Sequence, residues 1–554
     1  MNWEKTNNLF IEGENLEILK LMYKSYYGRV KMIYIDPPYN TGSDFVYKDD
    51  YSQPRKAYLE KTGQMDSEGN ILTTNPEASG RYHSDWLNML YPRLFLARQL
   101  LRKDGMIFIS IDDHEVHHLR ILMNEVFGEE NFIAQITIRS NPRGRQAESH
   151  VATVHEYVLV YAREEEECII GGKPLTEEQR SQFKYQDNEG RKYRLLGLRQ
   201  RGSASRREDR PNMYFPIYVD PQTKKVSIHS SDKYSERVLP KKSTGEDGRW
   251  MWSKETVEEN TNILEARMIT TRDEWDVFVR DYLVDEDGKE RTRKYKTIWA
   301  DKDLNYQNGT TELKELFETT QALVDYPKPT FLLKQIVRMA NCDDGDICMD
   351  FFAGSCTTAH AVLEMNRADK KKRQFIMVQL NEKADEESAA KEHGFNTIAE
   401  IGKERIRLVI NKMNSGGSDN GDPEQDKLPF KTGAKEDLGF KTLKLSPSTF
   451  KQWKSPDVDQ DGETLEKQLA FFDRGLKEEV DSSHVIYEVI LKEGFDLNAK
   501  IKTENIESNK VYRVEQQGNE KLFFYLCLDD DVQNETLEAL SLDEETKLIC
   551  LDTA

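Results

Sequence analysis

The run Lys31-Met-Ile-Tyr-Ile-Asp36 constrains this chain more than any other segment. It is short, apolar almost throughout, and ends on a carboxylate followed at once by Pro37 and Pro38. A strand without polar alternation is buried on both faces, which is the habit of parallel sheets covered by helices. The residues downstream keep that pattern. Ser84 is placed to cap a helix whose apolar residues Trp86, Leu87, Leu90, Leu94 and Leu101 recur at helical spacing. Gly105 separates it from a strand over 106–111. A helix over about 114–127 and strands near 132–138 and 156–161 complete half of a doubly wound α/β sheet.

The alternation then stops. Residues 165–300 are polar, keep no sustained period and carry the aromatics Tyr214, Phe215, Tyr218, Trp250, Trp252 and Trp275. An α/β sheet does not need such an insertion, so it reads as a separate binding domain. From 301 to 413 the α/β pattern returns. Pro329 precedes a helix over 330–340, and a strand over 346–352 leads through the turn 353–355 into a helix over 357–366. A strand over 374–380 and a helix over 397–413 close the unit. Residues 414–426 are a Gly-, Ser- and Asp-rich linker, and 427–554 are expected to form a small α+β domain.

At 37% hydrophobic and 32% charged residues the chain reads as globular. No apolar run approaches the ~18 residues of a membrane span. The N-terminus lacks the basic and apolar regions of a secretion signal, so a cytoplasmic location and no membrane partner are expected. Six cysteines without a Cys-x-x-Cys pair speak against a zinc ribbon or a disulfide framework. A formal charge of −20 argues at first against nucleic acid. Local potential decides phosphate contact, however, and 191–210 carry eight basic residues against Glu208 and Asp209. Candidate contacts to phosphates or guanine edges are Arg139, Arg143, Arg145, Arg199, Arg201, Arg206, Arg207 and Arg210.

Two segments carry chemistry. An exocyclic base amine is a poor nucleophile because its lone pair is delocalised into the ring. The Asp36 carboxylate and the Pro37 carbonyl are positioned to accept its two N–H groups and draw the nitrogen towards a tetrahedral form. Pro37 and Pro38 stiffen the turn, and Tyr39 offers a ring to stack on a base taken out of the helix. The plainer reading is a rigid Asp-Pro-Pro turn after a strand. Downstream, Phe352-Ala353-Gly354-Ser355-Cys356 lies between a strand and a helix, where Gly354 lets a ligand approach the backbone. Asp350 just before it is a candidate for the ammonium of a methionine moiety.

Taken together, Asp-Pro-Pro-Tyr-Asn-Thr-Gly from Asp36 and Phe-Phe-Ala-Gly-Ser-x-Thr-Thr-Ala-His-Ala from Phe351 resemble the β class of amino-methyltransferases. In that class the catalytic half precedes the cofactor half, with target recognition between them. More narrowly the chain is similar to the modification (Mod) subunits of type III restriction–modification systems, on the stretches 105–113, 206–214, 326–329 and 397–405. The resemblance implies a Rossmann-like fold in permuted order and S-adenosylmethionine as methyl donor. It also implies double-stranded DNA as substrate, a homodimer and a helicase–nuclease (Res) partner. It assigns catalysis to Asp36, Pro37, Pro38 and Tyr39. Donor binding falls to Asp36, Lys328, Thr330, Asp350, Phe352, Ala353, Gly354, Ser355 and Glu382, the last preferred over Gln379 for the ribose. Cys356 departs from the glycine that ends the general Phe-x-Gly-x-Gly pattern. The chain also stops earlier than full-length relatives are expected to.

Other chemistries find less support. His114-Glu115-Val116-His117-His118 spells the His-Glu-x-x-His zinc signature, but no third-ligand pattern comes after it, so no metal is expected and a solvated helix start is preferred. No Pro-Cys dipeptide offers a nucleophile for cytosine-C5 methylation, and no P-loop is present. Adenine-N6 methylation is the leading expectation. Cytosine-N4 methylation and a non-catalytic DNA-recognition subunit that recruits a nuclease are its rivals.

Overall fold

The computed structural model describes residues 3, 5–41, 81–144, 150–415, 436–451, 475–478, 480–543 and 546–551. Both motifs sit on one nine-stranded sheet. Its strands are β1 (Leu9–Glu12), β2 (Val30–Ile35), β3 (Leu101–Ile111), β4 (Phe132–Ile138), β5 (Glu156–Ala162), β6 (Ile298–Trp299), β7 (Ile347–Asp350), β8 (Gln374–Gln379) and β9 (Lys441–Lys444). Their order is β6-β4-β5-β3-β2-β7-β8-β1-β9. All neighbours are parallel except β5, which runs antiparallel to β3 and β4. This is the α/β methyltransferase-type sheet expected from the permuted order.

The helices that pack with it are α1 (Asn15–Tyr26), α2 (Arg81–Leu100), α3 (Val116–Phe127), α4 (Tyr306–Leu316), α5 (Thr330–Met339), α6 (Thr357–Asp369) and α7 (Ile398–Asn414). α1 packs on α2 and α2 on α3, while α5 packs on α6 and α6 on α7. Ile33, Ile35, Ile107 and Ile109 meet Leu19, Met22, Trp86, Leu90, Leu94 and Met123 in one core. Every residue of β2 is buried, as its unbroken apolar run requires. Ser84 lies inside α2 and not at its cap. β1 and α1 precede the first strand read from the sequence; a strand of four residues is too short to show a period.

β2 and β7 are neighbours, with Met349 opposite Ile33. From β7 the chain moves on to β8; from β2 it moves the other way, to β3. The strand order therefore reverses between them, and the crevice beyond their carboxyl ends is where open α/β sheets bind ligands. Both motifs open onto that crevice.

Residues Gly172–Tyr295 form a second compact unit. It holds a four-stranded antiparallel sheet that includes Lys192–Gly197, Leu264–Ile269 and Glu274–Tyr282, and a smaller three-stranded one. Its own core contains Leu198, Ile217, Trp250 and Val277. The segment from 427 onward, expected as a small α+β domain, is joined to the main sheet by its first described strand. Lys441–Lys444 pairs with β1 as the edge of the main sheet. Leu497 N–H donates to the Tyr26 hydroxyl (3.1 Å), and Arg29 pairs with Asp496 (3.0 Å). The C-terminal part still has a core of its own, around Val485, Ile490, Phe495, Val514 and Phe524. The expected linker lies mostly outside the described residues. No helix among the described residues is long and apolar enough to cross a membrane.

Candidate active site

β2 delivers Asp36 to the crevice, and the two prolines after it leave the chain without N–H donors to continue a ladder. The turn is then held through side chains. Trp86 Nε1 of α2 donates to the Pro38 carbonyl at 2.7 Å. The Tyr39 hydroxyl lies 2.9 Å from Asp36 Oδ1 and 3.0 Å from Glu156 Oε2, so its one proton is offered to either carboxylate. Lys328 Nζ donates to the Tyr39 oxygen at 2.7 Å and stands 3.2 Å from both Asp36 and Glu156. Its ammonium also faces the ring of Tyr306, 4.4 Å from the centroid.

These charges are buried but compensated. Burial works against the ammonium of Lys328, yet Asp36 and Glu156 outweigh it and raise its pKa. Burial lifts Asp36 above the usual carboxylate range, against the pull of Lys328. Burial also pushes the Tyr39 and Tyr306 hydroxyls well up, so both stay protonated. Asp36 nevertheless keeps 29% of its side-chain surface exposed, turned to the crevice.

The second turn, after β7, is shaped by backbone. Ala353 N–H reaches the Val378 carbonyl at 3.1 Å, and Gly354 N–H donates to Gln379 Oε1 at 2.6 Å. Gly354 and Cys356 both adopt the left-handed region, with φ of 50° and 61°. Cys356 thus takes, with a side chain, a conformation that favours glycine. Its thiol is buried against α7, where a Cβ on Gly402 would come within 2.8 Å of Cys356 Sγ. Arg405 of the same helix, fully buried, donates to Ser355 Oγ (3.0 Å) and Thr357 Oγ1 (2.7 Å). The stretch 397–405 that carried part of the resemblance therefore supports this turn from behind.

A cavity of about 460 Å³ opens between the turns, lined by Asp36, Pro38, Leu323, Phe352, Gly354, Gln379, Glu382, Ala390 and Ile398. The size suits a small-molecule site. Apolar Leu323, Phe352 and Ile398 beside polar Gln379, Glu382 and Lys383, with Gly354 among them, fit a nucleoside with a polar tail, as S-adenosylmethionine has. A second cavity, of about 400 Å³, is lined by Asp112, Ser140, Asn141, His155, Glu156, Tyr306 and Tyr326. The two share Ala322, Val324 and Asp325. Asp36 faces the first and Glu156 the second, and Tyr39 bonds to both.

Several residues expected at the donor stand elsewhere. Lys328 belongs to the Asp36 cluster. Thr330 gives its N–H and hydroxyl to Glu312. Asp350 is buried and points inward, accepting from Phe352 N–H (3.1 Å) and the Thr358 hydroxyl (2.6 Å), and burial raises its pKa to about 7. It holds the turn's shape and does not line the cavity, and Ser355 is likewise turned to Arg405. Sequence reasoning misses Glu156 and Tyr306. A carboxylate opening the apolar run of β5 is the one signal it offers for Glu156. Among the arginines, Arg139, Arg143, Arg201, Arg206, Arg207 and Arg210 are exposed, and Arg199 is half-buried with a bond to the Lys241 carbonyl. Arg207 pairs with Asp247 (3.1 Å). Arg145 lies outside the described residues. His114 pairs with Asp112, so the His-Glu-x-x-His spelling does not assemble; Glu115 and His118 instead converge with His83.

Comparison with known proteins agrees with this geometry. A family model described as "DNA methylase" (N6_N4_Mtase) matches residues 30–392, which spans both turns. The chain is 36% identical over 75% of its length to the type III restriction–modification enzyme EcoPI Mod subunit of Escherichia phage P1, of which it covers 64%. It is 34% identical to the EcoP15I Mod subunit of Escherichia coli, covering 75% of this chain and 65% of that one. To the type II methyltransferase M.KpnI of Klebsiella pneumoniae it is 32% identical, covering 73% of this chain and 88% of the relative. It thus spans about two thirds of the length of the Mod relatives. By the match across both turns and the insertion between them, the chain belongs to the N6_N4_Mtase family of DNA methylases.

Proposed function

We propose that the chain transfers a methyl group from S-adenosylmethionine to the N6 amine of an adenine flipped out of double-stranded DNA, as the modification subunit of a type III system. The observation that carries this reading is the Asp36–Tyr39 turn standing beside the cavity of the second turn, with Lys328 and Glu156 fixing it. The donor, when bound, supplies an electrophilic methyl on a sulfonium; Phe352, Gly354 and Glu382 would hold it. Asp36 and the Pro37 carbonyl accept the two amine N–H groups and orient the lone pair, and Tyr39 stacks on the extruded base. The polar cavity beside Glu156 and Tyr306 receives the acceptor. The exposed arginines Arg139, Arg143, Arg201, Arg206, Arg207 and Arg210, with Arg199, contact DNA, and Arg145 joins them by sequence.

Adenine is favoured over cytosine because two of the relatives above are named Mod subunits; the turn itself serves either amine. The word subunit in those names supports assembly with other chains, and the reading includes a homodimer with a helicase–nuclease subunit. The test is single-molecule sequencing of DNA from cells expressing wild type or Asp36→Ala. N6-methyladenine at a fixed motif is expected only with wild type. Equal modification by both would remove Asp36 from the mechanism, and N4-methylcytosine would move the assignment to the rival base.

A further inference from the structure

Glu115 is fully buried and begins α3, yet its carboxylate makes no bond to the N-terminus of that helix. It reaches the catalytic turn instead. Oε1 accepts from Asn40 Nδ2 at 2.5 Å and lies 2.6 Å from His83 Nδ1 of α2; Oε2 lies 2.9 Å from His118 Nδ1 of α3. Both imidazoles then carry their proton on Nδ1 to donate. Three donors from three segments meet on one carboxylate. Asn40 directly follows Tyr39 and takes the left-handed region at φ 57°. Asparagine tolerates that region better than most residues, but the conformation still needs support. Pro37 and Pro38 supply no N–H of their own, and the bond to Glu115 ties this side of the turn through a side chain.

We propose that Glu115 is a positioning residue for methyl transfer: by gathering Asn40, His83 and His118 it sets the backbone of the catalytic turn and hence the aim of the Pro37 carbonyl and Asp36. This rests on the reading of 36–39 as the catalytic turn. Glu115 lines neither cavity, so it touches neither donor nor base. Its removal therefore acts on the rate of transfer and not on binding. A misplacement of about 1 Å at the reacting groups costs on the order of 100-fold.

The test is single-turnover methylation, with donor affinity measured by calorimetry, for Glu115→Ala, Glu115→Gln, Asn40→Ala and the double variant Glu115→Ala/Asn40→Ala. Expected are a roughly 100-fold slower transfer for Glu115→Ala with donor affinity within about threefold of wild type. Glu115→Gln, which keeps one acceptor oxygen, is expected between the two. The double variant should be no slower than the worse single one, because both remove the same contact. Multiplying losses in the double variant, or a loss of donor binding matching the loss of rate, would overturn the proposal. So would activity lost on chelation and restored by zinc, which would make His83, Glu115 and His118 a metal site. Wild type that makes no methylated base at all defeats the proposed function; active wild type with unaffected Glu115 variants defeats this inference alone.

Discussion

The turns after β2 and β7 stand side by side at the carboxyl ends of two neighbouring central strands, yet they are built by opposite means. The first has two prolines, few backbone bonds of its own, and side chains brought from α2, α3, β5 and the approach to α5. The second is a backbone structure: two N–H bonds to β8, two left-handed residues and a buried Arg405 behind it. The difference comes from what each must present. A turn that orients an amine needs charge and acceptors fixed in space, so it recruits ionised groups that hold each other in place. On the proposed reading the second turn wraps a ligand, which needs close approach: it commits its N–H groups to β8 and turns the glycine backbone to the cavity. Changes at the first should therefore alter rate, and changes at the second affinity.

The sharpest break between the two is Asp36→Ala. Methylation should fall by about 10³-fold or more, while donor affinity by calorimetry stays within a few-fold. A matching loss of both would show that the turns are not separable. Next comes Lys328→Met. In the proposed mechanism transfer requires ionised Asp36, so activity is expected above the pKa of Asp36 and is lost as pH falls through it. Burial already raises that pKa and Lys328 opposes the rise; without Lys328 it climbs further. The acid limb of the pH–rate profile should move to higher pH, with a loss on the order of 100-fold at neutral pH. An unmoved limb would mean that Lys328 does not act through Asp36.

Glu382→Ala tests the other side of the comparison. Losing one charged hydrogen bond to the donor should weaken its binding about tenfold or somewhat more, with the rate at saturating donor preserved. A slower rate without weaker binding would place Glu382 in the chemistry. The smallest effect is expected from Cys356→Gly. Relief of the left-handed conformation is worth about 1–2 kcal/mol, and the lost packing of a buried thiol offsets most of it. The melting temperature should move only a few degrees and donor affinity less than about threefold. A large fall in stability would mean that the packing of Cys356 against Gly402 outweighs its backbone cost.

Much of this site is legible in sequence because both turns are local. Each is a strand, a few residues and an exit, so composition and order suffice to find Asp36–Tyr39 and Phe352–Cys356. Local pattern does not tell which distant residue reaches which turn. Lys328 reads as a donor contact because the residues after it begin a helix, but its long chain carries the ammonium to Tyr39. Asp350 reads as free to meet a ligand, yet two residues later the backbone turns its own N–H onto the carboxylate. The His-Glu-x-x-His spelling fails because α3 begins only at Val116. His114 therefore lies off the helical face that His118 occupies, and the third partner, His83, comes from another helix.

The sequence by itself determined the two turns, their order along the chain, and the α/β alternation around them, since each depends on contacts a few residues long. Only the tertiary structure decided that β2 and β7 pair, because strands so far apart in the chain meet through sheet order and not through local pattern. That pairing puts the two turns at one crevice. On the other flank of β2, the order β3 then β5 and the helices packed there bring Glu156, Glu115 and His83 to the first turn, where Lys328 joins them; the burial of such charged and polar groups is tolerable because each arrives with its partner.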